Sequence, residues 1–406
     1  MHFSERLYPQ ARLGMLLNGI ETEGNVIDLS IGEPNVPLAQ DVLSQIPDGF
    51  EALTQYPKPA LQFELQETIA RWLSRRYKLD LQCFSAKDQV TILAGSREGI
   101  FMLPIALFNH QLQHGQPITV AMPDPGYPIY LASAENVGAK VQTISQTQLS
   151  ELTTSELDVY ACWAEIDLMF VCSPSNPTGE VLSLLQWTRL IELAKEYQFI
   201  LVADECYSEI YSEPFAPTGL LEACAKMGNS KFENCLAIHS LSKRSGLPGL
   251  RSGFIAGDTH LIKSLQSYRN YHGVSLSSIQ LKGSQAAWSD EQHVLSNRQV
   301  YGRKFDEFSK QFSDLSCYQM PAGGFYIWLD VGCPAEKFCQ RLYQEFAIKV
   351  LPGHYLAVSD LTVEALQQYV RIAVVCEQED IPFIGQAIKQ TMQFCCHSNS
   401  VGGHVA

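Results

Sequence analysis

From residue 61 to about residue 280 the chain alternates stretches of helical spacing with short, near-continuous apolar runs. This alternation restricts its fold more than any other feature. Helical spacing marks 61–77, the stretch REGIFMLPIALF from Arg97, and 184–198. Between and after them lie QVTIL (89–93), PITVAM (117–122), DLMFVC (167–172), FILVAD (199–204), LAIHSLS (236–242) and GFIAGD (253–258). Apolar runs of this kind predict strands buried on both faces, in a mostly parallel sheet with helices on each side. Ligands of such α/β sheets bind beyond the carboxyl ends of the strands. After about residue 290 come a long polar helix, a strand in GGFYIWLDV (323–331), a helix over 334–347 and a strand in YVRIAVV (369–375). That is an α+β pattern, so a second, smaller domain is expected. The division read from the sequence is a large domain at 46–285, a small one from 1–45 and 286–395, and a flexible tail at 396–406. The stretch 142–157 is polar and reads as surface.

Composition removes several function classes. With 29 Lys and Arg against 43 Asp and Glu the chain carries −14 at pH 7, which repels a phosphate backbone and argues against nucleic acid as a partner. A local basic pocket can still take small anions. No run approaches the roughly 18 or more consecutive apolar residues of a membrane span, and the start MHFSERLYPQARL resembles neither a signal nor a transit peptide. The 12 cysteines are scattered, without CxxC or metal-ligand spacing, so neither a disulfide scaffold nor a metal site is expected. Cys162, Cys172 and Cys206 sit in apolar runs, where a thiol serves as a small core hydrophobe. These features lead us to expect a reducing, cytoplasmic setting.

Five places bring chemistry to predicted strand ends. Asp204 closes FILVAD; a carboxylate there is costly to desolvate unless a cation or strong donors meet it, and a helix cap or a solvated strand end is the plainer account. Ser240, Ser242 and Lys243 stand at the next strand end, with Arg251 eight residues after the lysine. Together they suit a phosphate and a carbonyl, or else form a basic surface loop. Gly95-Ser96-Arg97 lies between a strand and a helix, where free backbone N–H groups make an anion site, although an ordinary turn reads the same way. In Ser175-Asn176-Pro177-Thr178-Gly179 turn chemistry explains Pro and Gly, leaving Asn176 with spare hydrogen-bonding capacity. Arg371, inside YVRIAVV, needs an anion or a structural ion pair. Together with Tyr207 these residues meet the needs of pyridoxal 5′-phosphate: a lysine for a Schiff base, a carboxylate for the pyridine nitrogen and a phosphate cradle.

The ordered set Tyr56, AGSRE (94–98), PGYP (125–128), SNPTG (175–179), DECY (204–207), SLSKRSGLPGLRSG (240–253) and YVRIAVV resembles the class I/II, fold-type I pyridoxal-phosphate aminotransferases, over residues 25–376. GSRE, the lysine segment, GGFYIWLDV and VLPGHYLA look most like N-succinyldiaminopimelate aminotransferases of bacterial lysine biosynthesis. The resemblance implies that Lys243 forms the Schiff base and moves the substrate proton, and that Asp204 faces the pyridine nitrogen. Tyr207 and Asn176 would bind the ring's 3′ oxygen, and Tyr127 would stack on the ring. Ser96, Arg97, Ser240, Ser242 and Arg251 would hold the phosphate. Arg371 and the backbone of Gly32 would take the substrate carboxylate. Tyr56 would reach the phosphate site of a second subunit, implying a homodimer with shared active sites.

The expected reaction is transamination between glutamate/2-oxoglutarate and N-succinyl-L,L-diaminopimelate, with Arg97 and Arg244 as candidates for the distal carboxylate. Other readings are transamination of aspartate, an aromatic amino acid or unacylated diaminopimelate, β-elimination by a lyase of the same fold, and a non-catalytic cofactor-sensing module. Two departures from the family pattern stand out. Leu61 and Gln66 replace a usual Gly and Arg, and no Gly-rich loop separates Tyr355 from Tyr369.

Overall fold

The computed structural model describes residues 7–46, 54–145, 148–149, 151–152, 162–212, 214–272 and 274–400. Its strands, in chain order, are β1 (Ile27–Asp28), β2 (Val90–Leu93), β3 (Thr119–Asp124), β4 (Lys140–Ser145), β5 (Leu168–Cys172), β6 (Ile200–Asp204), β7 (Cys235–Ser240), β8 (Gly253–Gly257), β9 (Tyr326–Asp330), β10 (Ile348–Lys349), β11 (Leu351–Pro352) and β12 (Tyr369–Ala373). Seven form one sheet in the order β2-β8-β7-β6-β5-β3-β4. The pairs β3–β4, β3–β5, β5–β6 and β6–β7 are parallel; β8 runs antiparallel to both β2 and β7. The sheet is therefore α/β and mostly parallel, as expected.

Alternation along single strands shows why the runs are apolar throughout. In β6, Ile200 and Val202 enter one core cluster while Leu201 and Ala203 enter another; in β7, Leu236 and Ile238 oppose Cys235 and Ala237. With period-two side chains, burial on both faces leaves no polar position. One of the two clusters continues into the three-stranded antiparallel sheet β11-β12-β9 through Ile327, Leu329, Val370 and Ile372. We propose the domain division read from the sequence, because the seven-stranded sheet lies within 46–285 and β1 pairs with β10, tying the head of the chain to its last third.

Local signals explain the helix boundaries. The helix Leu184–Tyr197 starts at a capping box, Ser183 with Gln186, and stops where Gln198 turns left-handed at φ 61°. Leu61, which replaces a usual glycine, lies within the regular helix Pro59–Tyr77 and needs no positive φ; the Gln66 amide donates to the Val90 carbonyl (2.7 Å). Two expectations are corrected. The stretch 142–157 is not surface throughout: residues 142–145 belong to β4, an edge strand with one neighbour, in which Ile144 is buried, and Leu149 and Leu152 beyond it are buried as well. The last helix continues to Ser400, beyond the expected start of the tail, while 401–406 lie outside the described residues. Among the described residues no helix is long and apolar enough to cross a membrane, and no group of three or more His, Cys, Asp or Glu could hold a metal ion.

Candidate active site

The strands β2, β3, β5, β6 and β7 point one way, so their carboxyl ends bring Gly95-Ser96, Tyr127, Asn176, Asp204 and Ser240 to one edge of the sheet. There all but Gly95 line a cavity of about 520 Å³, with Lys243 and Arg251 from the segment after β7 and Arg371 from β12. Asp124, at the end of β3, fastens this edge to the neighbouring loop by accepting from the Val358 and Ser359 amides (2.8 and 3.0 Å).

Asp204 is 4% exposed. Its Oδ2 accepts from the Tyr130 hydroxyl (2.7 Å) and its Oδ1 from the Cys206 amide (3.2 Å). Burial raises its pKa, opposed by these donors and by Lys243. The Lys243 amine donates to the Gly32 carbonyl. Burial pushes its pKa down to about 8, and the Arg371 and Arg97 guanidiniums act in the same direction. Tyr207 meets Tyr326 through their hydroxyls (3.2 Å), and its phenol is held well above the ordinary range by burial.

Arg371 is 4% exposed. Its Nη1 donates to Asn176 Oδ1 (3.0 Å), its Nη2 donates to the Ser30 carbonyl (2.7 Å), and the group lies over the Tyr326 ring, 4.4 Å from its centroid. Its buried Nε has no partner, and among the described residues no carboxylate meets it. A buried cation without a counter-ion is expensive, so this arrangement fits a carboxylate ligand. Gly32 is needed beside it, since a Cβ there would collide with the Tyr326 hydroxyl and stand 2.8 Å from its ring carbon Cζ.

The expected phosphate cradle follows the same pattern. The helix Ser96–Gln113 presents its N-terminus to the cavity, with Gly95 at φ +85° as its cap. A Cβ on Gly95 would drive into the Arg251 guanidinium, lying 3.0 Å from Cζ. Among the described residues that guanidinium's own hydrogen bond goes to the Pro248 carbonyl (3.0 Å), and Ser240 donates to the Ser242 hydroxyl (3.0 Å). A helix N-terminus, two hydroxyls and an arginine without an acidic partner fit a phosphate, and Lys243 with Asp204 fits the rest of pyridoxal 5′-phosphate. Gly95→Ala is expected to weaken cofactor binding to the apoprotein by roughly ten- to a hundredfold, from strain at positive φ plus displacement of Arg251. Fluorescence titration with the cofactor checks this; unchanged affinity would remove the cradle.

Most of the expected residues converge: Gly32, Ser96, Arg97, Tyr127, Asn176, Asp204, Tyr207, Ser240, Ser242, Lys243, Arg251 and Arg371 line the one cavity. Arg244 does not. In the short helix Leu241–Arg244 adjacent side chains diverge by about 100°, so Arg244 points away from Lys243. It is buried between Trp72 and Trp288 and donates to the Ala287 carbonyl (2.8 Å) and Glu291 (2.7 Å). Its expected contact with substrate is withdrawn. Tyr56, 97% exposed, is absent from the cavity of its own chain.

Two residues escaped the sequence reading. Tyr326 lies between Tyr207 and Arg371, and Tyr130 reaches Asp204. The first follows a Gly-Gly pair by two positions; the second is three residues after Tyr127, on the same helical face.

A family model described as "Aminotransferase class I and II" matches residues 24–388. An LL-diaminopimelate aminotransferase of Aquifex aeolicus is 28% identical over 346 residues, covering 82% of this chain and 85% of the relative. The crystal structure of an aminotransferase from Neisseria meningitidis is 34% identical with a TM-score of 0.85, covering 96% of this chain and 98% of that one. A probable N-succinyldiaminopimelate aminotransferase from Thermus thermophilus, 22% identical with a TM-score of 0.78 over 94% and 99% of the two chains, shares the fold.

Proposed function

The chain belongs to the class I and II aminotransferases, which depend on pyridoxal 5′-phosphate, and we propose that it moves amino groups between glutamate/2-oxoglutarate and a diaminopimelate-type amino acid, N-succinyl-L,L-diaminopimelate in the narrowest reading. One observation carries this: in a −14 chain, three guanidiniums without acidic partners among the described residues, Arg97, Arg251 and Arg371, line the same cavity, and with Arg251 left to the phosphate, Arg371 and Arg97 remain for the substrate. A pair of cationic contacts suits a substrate with two separated carboxylates.

Bound pyridoxal 5′-phosphate supplies a carbonyl that condenses with amines and a ring that accepts the electron pair left at Cα. The protein's tasks are binding, orientation and proton transfer. Arg371 fixes the α-carboxylate, and Asn176, whose Oδ1 already accepts from Arg371, keeps its Nδ2 free to donate to the ring's 3′ oxygen. Tyr207 adds a second donor at that oxygen. Tyr127 covers the ring face, held by the Arg97 Nε donating to its hydroxyl (3.0 Å). Asp204, buried at the strand end, would stabilise a proton on the ring nitrogen. Lys243, whose pKa burial draws down to about 8 and so toward the neutral amine, would take the proton from Cα and return it one atom away. Tyr56, exposed and unused in its own chain, supports a homodimer in which it completes a second subunit's phosphate site.

A second reading, unacylated L,L-diaminopimelate, is favoured by Glu33, a carboxylate on the cavity wall that suits a distal ammonium, and by the name of the Aquifex relative. The test is a half-reaction without keto acid, followed by the visible absorption of the bound cofactor. N-succinyl-L,L-diaminopimelate, L,L-diaminopimelate and glutamate are compared. Bleaching by the acylated compound and recovery with 2-oxoglutarate support the narrow reading; bleaching only by the free diamine transfers the assignment to it. Arg97→Ala is expected to raise KM for the acylated substrate by roughly 10- to 150-fold, the worth of a charge-assisted contact, while alanine changes little. Equal losses on both substrates would discard Arg97 as the distal contact.

A further inference from the structure

The acid expected to govern the cofactor's ring is itself held by a neighbour that the sequence reading passed over. Tyr130 lies in the helix Pro128–Asn136, is 1% exposed, and stacks on Phe170 of β5 with ring centroids 5.0 Å apart and planes 17° from parallel. Its edge meets Tyr127, at 5.8 Å and 87°. Its hydroxyl, between Asp204 and the Cys172 thiol, donates to Asp204 Oδ2 at 2.7 Å, and the Cys172 sulfur is engaged with the Pro174 carbonyl (3.3 Å). The other carboxylate oxygen takes the Cys206 amide. The Tyr130 hydroxyl, the Cys206 amide and the Cys206 thiol thus all hold the Asp204 carboxylate, which sets its rotation.

We infer that Tyr130 is a positioning residue, whose phenol keeps the Asp204 carboxylate anionic and turned toward the ring nitrogen of the bound cofactor. This rests on the reading that Asp204 faces that nitrogen. A buried carboxylate is drawn toward its protonated form, and a phenol donor opposes this by stabilising the anion. Without the donor Asp204 becomes the stronger base, and the shared proton moves from the ring nitrogen to the carboxylate. The cofactor then loses part of the positive charge that draws electrons from Cα. Because Tyr130 touches both Asp204 and Tyr127, the same side chain holds the acid and braces the aromatic expected to cover the ring.

The test uses holoenzyme loaded with cofactor 15N-labelled at the ring nitrogen. Tyr130→Phe keeps the stack and removes only the hydroxyl. It is expected to shift the nitrogen resonance toward the deprotonated position, and to lower kcat roughly tenfold with KM within about twofold. A second variant, 4-aminophenylalanine at position 130, keeps the shape with a weaker donor. It is expected to shift the resonance in the same direction as the Phe variant by a smaller amount, and it decides the matter if the Phe variant fails to fold. Asp204→Asn serves as the reference. If it moves the resonance while both Tyr130 replacements leave it unchanged, the role of Tyr130 is overturned and that of Asp204 stands. If Asp204→Asn leaves it unchanged as well, Asp204 does not face the nitrogen and both fall.

Discussion

Lys243→Met is expected to slow transamination by on the order of 10⁴-fold, the upper range for a positioned acid–base group, in a chain that still folds and binds cofactor without a covalent link. Methionine matches the lysine stem in length and removes only the amine, so the loss isolates proton transfer and Schiff-base chemistry from packing. Single-turnover kinetics with glutamate check the size, and a loss smaller than tenfold would mean another base moves the Cα proton. The amine's depressed pKa, about 8, gives two further signs. In the apoprotein, acylation of Lys243 should rise with pH through about 8, ahead of ordinary lysines, as the neutral amine forms. The folded pKa lies below the unfolded one, near 10.5, so between about 8 and 10.5 the unfolded chain binds the extra proton. The apoprotein therefore gains stability from this group as pH rises across that window, and the gain should vanish in Lys243→Met. Thermal melts of both proteins at about pH 8 and about pH 10 test the difference.

Arg371→Leu is expected to raise KM for every amino and keto acid by roughly 30- to 5,000-fold, the range for breaking a buried charged contact. Cofactor affinity should change by less than about threefold, since the phosphate cradle lies elsewhere. Arg371→Lys should restore little, because a point charge cannot reproduce a planar two-pronged contact or the stack on Tyr326. Loss of the guanidinium also removes one cause of the low Lys243 pKa, so the pH at which the amine becomes neutral should move upward. Initial-rate kinetics with glutamate, alanine and 2-oxoglutarate separate the outcomes. A rise confined to one substrate would make Arg371 a side-chain contact and leave the α-carboxylate site to be found elsewhere.

How far the sequence could be read depends on how local each cause is. The apolar runs, the capping box at Ser183 and Gln186, and Asp204 at the end of FILVAD depend on neighbours a few residues away. Arg244 shows the limit. As a cation beside Lys243 it is indistinguishable in sequence from a substrate ligand. What places it is the helical rotation between the two, and the acceptors and rings it meets, Ala287, Glu291, Trp72 and Trp288, which lie far along the chain. Tyr130 failed to register for the opposite reason. In sequence it is another apolar-side aromatic, and only the pairing of β5 with β6, which sets Asp204 beside Cys172 two residues beyond Phe170, brings the carboxylate within reach of its hydroxyl.

By itself, then, the sequence determined the α/β architecture, the edge of the sheet where ligands bind, and the set of residues able to serve pyridoxal 5′-phosphate. Those follow from periodicity and from the chemistry of single side chains. The tertiary structure alone decided which of them share a cavity, that Arg371 meets no carboxylate among the described residues while Arg244 meets Glu291, and that Asp204 is held by a phenol. Those are matters of burial and of partners distant in the chain, and the energy of a charge or a hydrogen bond is set by its surroundings rather than by residue type.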